Sequence, residues 1–384
     1  MKLKNNKNMD KKQKKIIILG SAYPLRGGLA SFKERLCQAF IENGDAARLV
    51  TFSLQYPSLL FPGKTQYSDS EKPDLDIEVS VNSINPFNWL KIGRRIKKEK
   101  PDILLFKYWT PFMAPCFGTI ARIVKKNRHT KIITIVDNMI PHERHFYDTL
   151  LTKYFAKPVD AYIAMSQSVY DDIEHFEPKK IKKLTPHPIY DNYGEKLHKT
   201  EALQKLGLED NYTYFLFFGF IRSYKGLDLL IEAFADARLR KFPVKLIVAG
   251  EFYENEKPYL DVIQQYNLSD DIILRTNFIS NEQVKDYFSA ADLIVQPYKS
   301  ATQSGVTQIG YHFEKPMLVT NVGGLAEIIP DGKVGYVVEP VKEEITNALL
   351  DFLTNKPDFS KGIQEEKQKY TWDKLVLAIN HLWK

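Results

Sequence analysis

Arg222 and Lys225 stand three residues apart inside Gly219-Phe220-Ile221-Arg222-Ser223-Tyr224-Lys225-Gly226. One offers a forked guanidinium and the other a compact ammonium, a pairing suited to a diphosphate. The segment follows the apolar run Thr213 to Phe218, which reads as a buried strand, and leads into Leu227 to Phe234, whose apolar spacing is helical. It is therefore a strand-to-helix turn. In a parallel α/β sheet such turns lie at the carboxyl edge, where ligands bind, and the helix start offers unpaired N–H groups to an anion. The expectation is a diphosphate cradle that opens on Gly219; a basic surface turn is the plain alternative.

Three further turns have the same character. Gly20 to Gly28 follows the strand Ile16 to Leu19, and Gly27 and Gly28 permit close backbone approach to a substrate phosphate or sugar. The three-glycine dinucleotide spacing is missing there, which disfavours a nicotinamide enzyme. Pro297 to Gln308 again runs from strand to helix, with Ser304 and Gly305 presenting amides to a phosphate and Val306 beside them as a substrate contact. Asn321 to Glu327 makes the next such turn. The strand Lys131 to Val136 exits into Asp137, Asn138 and His142, which can hydrogen-bond sugar hydroxyls, although a helix cap would explain one of them. His142 and His145 lack the further ligands a metal site requires. Asp74 and Asp76 form a lone DxD in a Pro-broken loop and carry little weight.

The elements that must position these turns alternate strand and helix almost throughout, the pattern of parallel sheets built from βαβ units. At 384 residues the chain predicts two domains of similar size. Residues 1–15, with seven lysines and one aspartate, read as a basic flexible tail; 16–190 and 191–365 as two Rossmann-like domains; and 366–384 as a closing helix. Pro57, Pro62, Gly63 and Pro73 break the pattern between Tyr56 and Asn85, where a long loop carrying specificity is expected. Ile16 to Leu19 is too short for a signal peptide and no run is long enough for a membrane helix, so a cytoplasmic protein is expected. Cys37 and Cys116 read as buried small hydrophobes. The net charge of +7 is concentrated on Asn85 to Lys100, where Phe87, Trp89 and Leu90 precede Lys91, Arg94, Arg95, Lys97, Lys98 and Lys100. An anionic membrane surface is the partner this segment suits, with a solvated helix face as the alternative. No nucleic-acid reader motif is present, and no nucleic acid is expected as a partner.

Gly219 to Phe234, Leu246 to Gly250, Ala291 to Leu293, Asn321 to Glu327 and Gly335 to Val338 together resemble the donor domain of the family 4 glycosyltransferases of the GT-B fold. The turn with Gly27 and Gly28 and the ending Tyr370-Thr371-Trp372-Asp373 are similar to that family too. The resemblance implies two Rossmann-like domains facing a cleft, a nucleoside-diphosphate sugar held mainly by the second, and a saccharide or lipid-linked acceptor held mainly by the first. It implies no metal and no cofactor beyond that co-substrate, retention at the anomeric carbon, and a C-terminal helix crossing back to the first domain. Arg222 and Lys225 would bind the donor diphosphate, assisted by backbone N–H groups of Gly28, Ser304 and Gly305, with His142 or Asp137 on the donor sugar. The family's pair of glutamates is replaced by Ala301 and Ile309, and Gln303 and Gln308 are near enough to substitute.

The function these features predict is a retaining transfer of sugar from a nucleotide donor to a hydroxyl, in polysaccharide or glycolipid assembly. A catalytically degenerate nucleotide-sugar binder and a nucleotide-sugar epimerase are the alternatives. The first draws on the missing glutamates, and the second would want a carboxylate cluster in the cleft.

Overall fold

The computed structural model describes residues 13–57, 65–68, 71–139, 146–301 and 304–383. The first sheet comprises β1 (Lys15–Leu19), β2 (Ala46–Leu54), β3 (Ile77–Asn82), β4 (Ile103–Tyr108), β5 (Lys131–Val136), β6 (Ala161–Ala164) and β7 (Ile181–Leu184). Its spatial order is β3-β2-β1-β4-β5-β6-β7, all neighbours parallel. The second comprises β8 (Thr213–Phe218), β9 (Val244–Ala249), β10 (Ile272–Arg275), β11 (Leu293–Gln296), β12 (Met317–Thr320) and β13 (Gly335–Val338), in the order β10-β9-β8-β11-β12-β13. These are two doubly wound α/β domains.

The central strands are continuous apolar runs because helices cover both faces of a parallel sheet. Every residue of β4 is buried, Lys107 included. Each order reverses beside its first strand, between β1 and β4 and again between β8 and β11. At such a reversal the helices on either side leave in opposite directions and open a crevice at the carboxyl edge. The turn 20–28 starts at one crevice and the turn 219–226 at the other.

Two strands correct the sequence reading. Ile77–Asn82 is a strand inside the stretch expected to be loop, and Ile181–Leu184 was not foreseen. Both lie at sheet edges, where only one neighbour pairs and little apolar surface is needed. The remaining stretch of the Tyr56 loop falls partly outside the described residues.

The chain passes between domains through Thr185 to Gly194, in which Tyr190 and Tyr193 are buried. It returns at the end. Helix Trp372–Trp383 packs on helix Gly28–Glu42 and on β5, β6 and β7. Trp372 Nε1 donates to the Ile189 carbonyl at 2.9 Å, and its ring lies 5.1 Å from that of Phe32.

Helix Pro86–Glu99 buries Ile92, Gly93 and Ile96 and leaves Phe87 83% exposed, while Trp89 Nε1 is held by the Asn82 carbonyl at 2.7 Å. Arg95 is ion-paired to Glu78 and Glu99, so part of its basic face is neutralised within the fold. Cys37 and Cys116 are free and buried, and burial pushes both thiols up, Cys37 to about 12. No helix among the described residues is long and apolar enough to cross a membrane.

Candidate active site

A cavity of about 250 Å³ lies where the two carboxyl edges face each other. The first domain contributes Gly27 and Gly28, the second Gly219, Lys225, Ser304, Gly305 and Val306, and the interdomain segment Tyr190 and Tyr193.

The turn after β8 is built around two glycines. Gly226 has φ +69°, and a Cβ there would lie 2.0 Å from the Pro297 carbonyl oxygen, so only glycine lets the turn close on the loop after β11. That contact is tied by Lys299 N donating to the Tyr224 carbonyl at 2.7 Å. The single helical turn Ser223–Lys225 then folds Lys225 back over β8, where a Cβ on Gly219 would sit 3.0 Å from its Nζ. Lys225 is only 9% exposed. Burial and the nearby Arg222 lower its ammonium to about 8, so it is poised to gain from an arriving anion.

Arg222 does not line the cavity. It is exposed at the rim, its guanidinium 5.5 Å above the ring of Tyr253, which stacks on Phe220 at 4.2 Å.

Helix Gly305–His312 starts at the cavity. Ser304 caps it, Oγ accepting from Val306 N at 3.2 Å, so the Val306 amide is already engaged and that residue meets the cavity through its side chain. Opposite stands the start of helix Gly28–Glu42, which has no side-chain cap and follows Gly27 at φ +95°. Tyr190 joins the two helix starts. Its hydroxyl donates to the Gly28 carbonyl at 3.2 Å, and a Cβ on Gly305 would come within 3.0 Å of its ring. Two helix N-termini and a buried ammonium thus converge on one cavity, an arrangement suited to a phosphate-bearing ligand.

The domains are also joined across the cleft by charge. Arg26 Nη2 donates to Glu251 Oε2 at 2.6 Å, with both side chains buried, and the same guanidinium lies 3.9 Å from the ring of Phe278.

The cluster after β5 is placed differently from expectation. The Asp137 carboxylate is ion-paired with Lys107, whose Nζ lies 4.2 Å above the Phe32 ring, and neither Asp137 nor Asn138 lines the cavity. Close by, Lys33 is fully buried with no hydrogen-bond partner among the described residues, and burial with the neighbouring Lys107 lowers it to about 7. His142 and Gln303 lie outside the described residues.

Gln308 is corrected outright. It is completely buried, both amide atoms lack a partner among the described residues, and it does not line the cavity. Adjacent helical residues differ by about 100° in direction, and Ile309 takes the cavity-facing position. Sequence reasoning also passed over Tyr190, Arg26, Glu251 and Phe278. Tyr190 sat in a stretch read only as a boundary, and the Arg26–Glu251 pair joins residues 225 positions apart, which no spacing reveals. Among the described residues no group of three or more His, Cys, Asp or Glu is placed to hold a metal ion.

Residues 198–370 match the family model described as glycosyl transferases group 1. The chain is 24% identical over 305 residues to an uncharacterized glycosyltransferase of Methanocaldococcus jannaschii, covering 77% of this chain and 79% of the relative. It is 24% identical over 373 residues to the O-antigen chain mannosyltransferase C of Escherichia coli, covering 93% and 94%. Among solved structures, the Anabaena protein HepE in complex with UDP and glucose superimposes with a TM-score of 0.72 at 15% identity, covering 96% of this chain and 98% of that one. The architecture is that of the GT-B glycosyltransferases.

Proposed function

We propose that this chain, a glycosyltransferase whose residues 198–370 belong to the glycosyl transferases group 1 family, moves a sugar from a nucleoside-diphosphate donor to a hydroxyl acceptor with retention. The observation that carries the reading is the Lys225 ammonium, folded over Gly219 at the start of helix Gly305–His312 and facing Gly28 across the cavity. These groups suit the charge that develops on a departing diphosphate, and groups placed in advance where charge appears supply a large share of such catalysis. Arg222 at the rim adds a second cation once the ligand is seated, and the reading calls on no metal.

In the step proposed, the bond from the anomeric carbon to the phosphate oxygen breaks as the acceptor oxygen bonds to the same face of that carbon. The acceptor's proton passes to the departing phosphate oxygen. A front-face path fits because Glu251, the carboxylate among the described cavity-lining residues, is tied to Arg26 and is no free nucleophile. Among the described residues lining that cavity no second carboxylate joins Glu251 to form the acid/base cluster an epimerase would need.

The acceptor belongs to the first domain's side of the cleft, and the O-antigen relative supports a glycan chain or its lipid-linked precursor. To test the reading, purified protein is incubated with UDP, GDP, ADP, CMP and thymidine diphosphate sugars and an acceptor extract, following free nucleotide and the anomeric configuration of the product. Nucleotide release with a retained configuration is expected. Binding without release would overturn the enzymatic reading, and an inverted product the retaining one.

A further inference from the structure

The cavity wall one turn beyond the phosphate cradle is apolar. Ile309 follows Gly305 by four residues in helix Gly305–His312, so it lies on the same face about 6 Å further from the helix start. Val306 and Ile309 line the cavity together with Val284 and Ile279, and Ile309 and Val284 are only 5% and 3% exposed. Three polar side chains of the lining are already engaged, and Asn281 Nδ2 donates to Ser31 Oγ at 3.4 Å. Tyr190 is bonded to the Gly28 carbonyl, the Tyr298 hydroxyl stands 3.4 Å from Ser304 Oγ at the phosphate end, and Glu251 is paired with Arg26.

In a nucleoside diphosphate the unit that follows the phosphates is the pentose. A diphosphate seated on Lys225 and the start of helix Gly305–His312 brings its pentose alongside Val306 and Ile309, with the base directed toward Phe278 and Ile279 in the loop past β10. A ribose there would turn two adjacent hydroxyls toward the side chains of Val306 and Ile309, which neither donate nor accept. Stripping a hydroxyl of water without giving it a partner costs about fivefold or more in binding. A 2′-deoxyribose carries one such group fewer and sets a CH₂ against the isoleucine.

We propose that the site selects a 2′-deoxyribonucleoside diphosphate, of the thymidine diphosphate kind, as the activated half of its donor, with Ile309 as the residue that sets the preference. This rests on reading the cavity as the nucleotide site. The test compares dUDP with UDP and dADP with ADP by titration calorimetry on the full chain, pairs that differ only in the 2′-hydroxyl. Each deoxy form is expected to bind more tightly than its ribo partner, by about fivefold or more, and Ile309→Glu, which supplies a diol acceptor, is expected to move the ratio about tenfold toward the ribo form. Equal or tighter binding of the ribo forms by wild-type protein overturns the proposal, and so does an unchanged ratio in a folded Ile309→Glu. Should that variant fail to fold, the wild-type ratio decides alone. Failure of all four diphosphates to bind overturns the nucleotide reading itself, a different result from a ribo preference.

Discussion

Arg26 and Glu251 close the cleft from opposite domains, guanidinium to carboxylate at 2.6 Å, in a place where both are nearly sealed from solvent. Truncating one partner of a buried pair leaves the other charge without compensation, at a cost of about 2–5 kcal/mol. Here the Glu251 carboxylate recovers the solvation lost with Arg26 if the domains part and water reaches it. Arg26→Ala is therefore expected to open the molecule rather than unfold it. Small-angle scattering should show a larger radius of gyration, and the donor KM should rise about tenfold or more. An unchanged radius and KM would show that the pair does not hold the domains together.

Lys33 tests the electrostatics of the buried charge cluster in the first domain. Its amine is lowered to about 7 by burial and Lys107, with Asp137 and Glu34 only partly offsetting them, against an ordinary value of 10.5. With the folded value below the unfolded one, the penalty is fully present below about pH 7, shrinks as pH rises, and is gone above 10.5. Lys33→Met keeps the length of the stem and removes the charge. Its melting temperature at pH 6 should exceed wild type by about 2–4 °C or more, and the difference should narrow as pH is raised toward 10. A less stable variant would mean that the amine is held by a partner worth more than its burial costs.

The helix Pro86–Glu99 is where membrane binding can be tested. Phe87 is exposed at its start, and Lys91, Arg94, Lys98 and the following Lys100 are exposed along it. Co-sedimentation with vesicles rich in anionic lipid should occur at low salt, fall sharply by about 0.3 M, and weaken in Lys91→Glu/Arg94→Glu. Absence of binding, or binding indifferent to salt, would assign this face to solvent.

The sheets were legible in the sequence where burial was complete. β1, β4, β8 and β9 are nearly unbroken apolar runs, and a run buried on both faces has few other readings. β7, whose Ile-Lys-Lys-Leu is largely exposed, has no such signature, because its hydrogen bonds to β6 rather than its side chains make it a strand. The place of Gly219 to Gly226 at the carboxyl edge was equally legible, since the glycines and cations are local to one turn. The face of helix Gly305–His312 was not. Choosing between Gln308 and Ile309 is a matter of one residue and about 100°, fixed by how the helix start is seated on β11 and Tyr190. The pairing of Asp137 with Lys107 likewise depends on two neighbouring strands, β4 and β5, ending in register, with Tyr108 opposite Val136.

Lys225 offers the most direct test of the whole account. Calorimetric titration of whichever of dUDP and UDP binds more tightly is carried out with wild-type and Lys225→Ala protein between pH 6.5 and 9.5, with circular dichroism to verify the fold. A charge-assisted contact to phosphate is worth about 10–100-fold in affinity. The ammonium loses its proton near pH 8, so wild-type affinity should be full below that value and decline above it, whereas the variant should bind weakly with a flatter profile. Equal affinity of the two proteins, with the same dependence on pH, would contradict the diphosphate cradle and return the turn after β8 to a basic patch of surface.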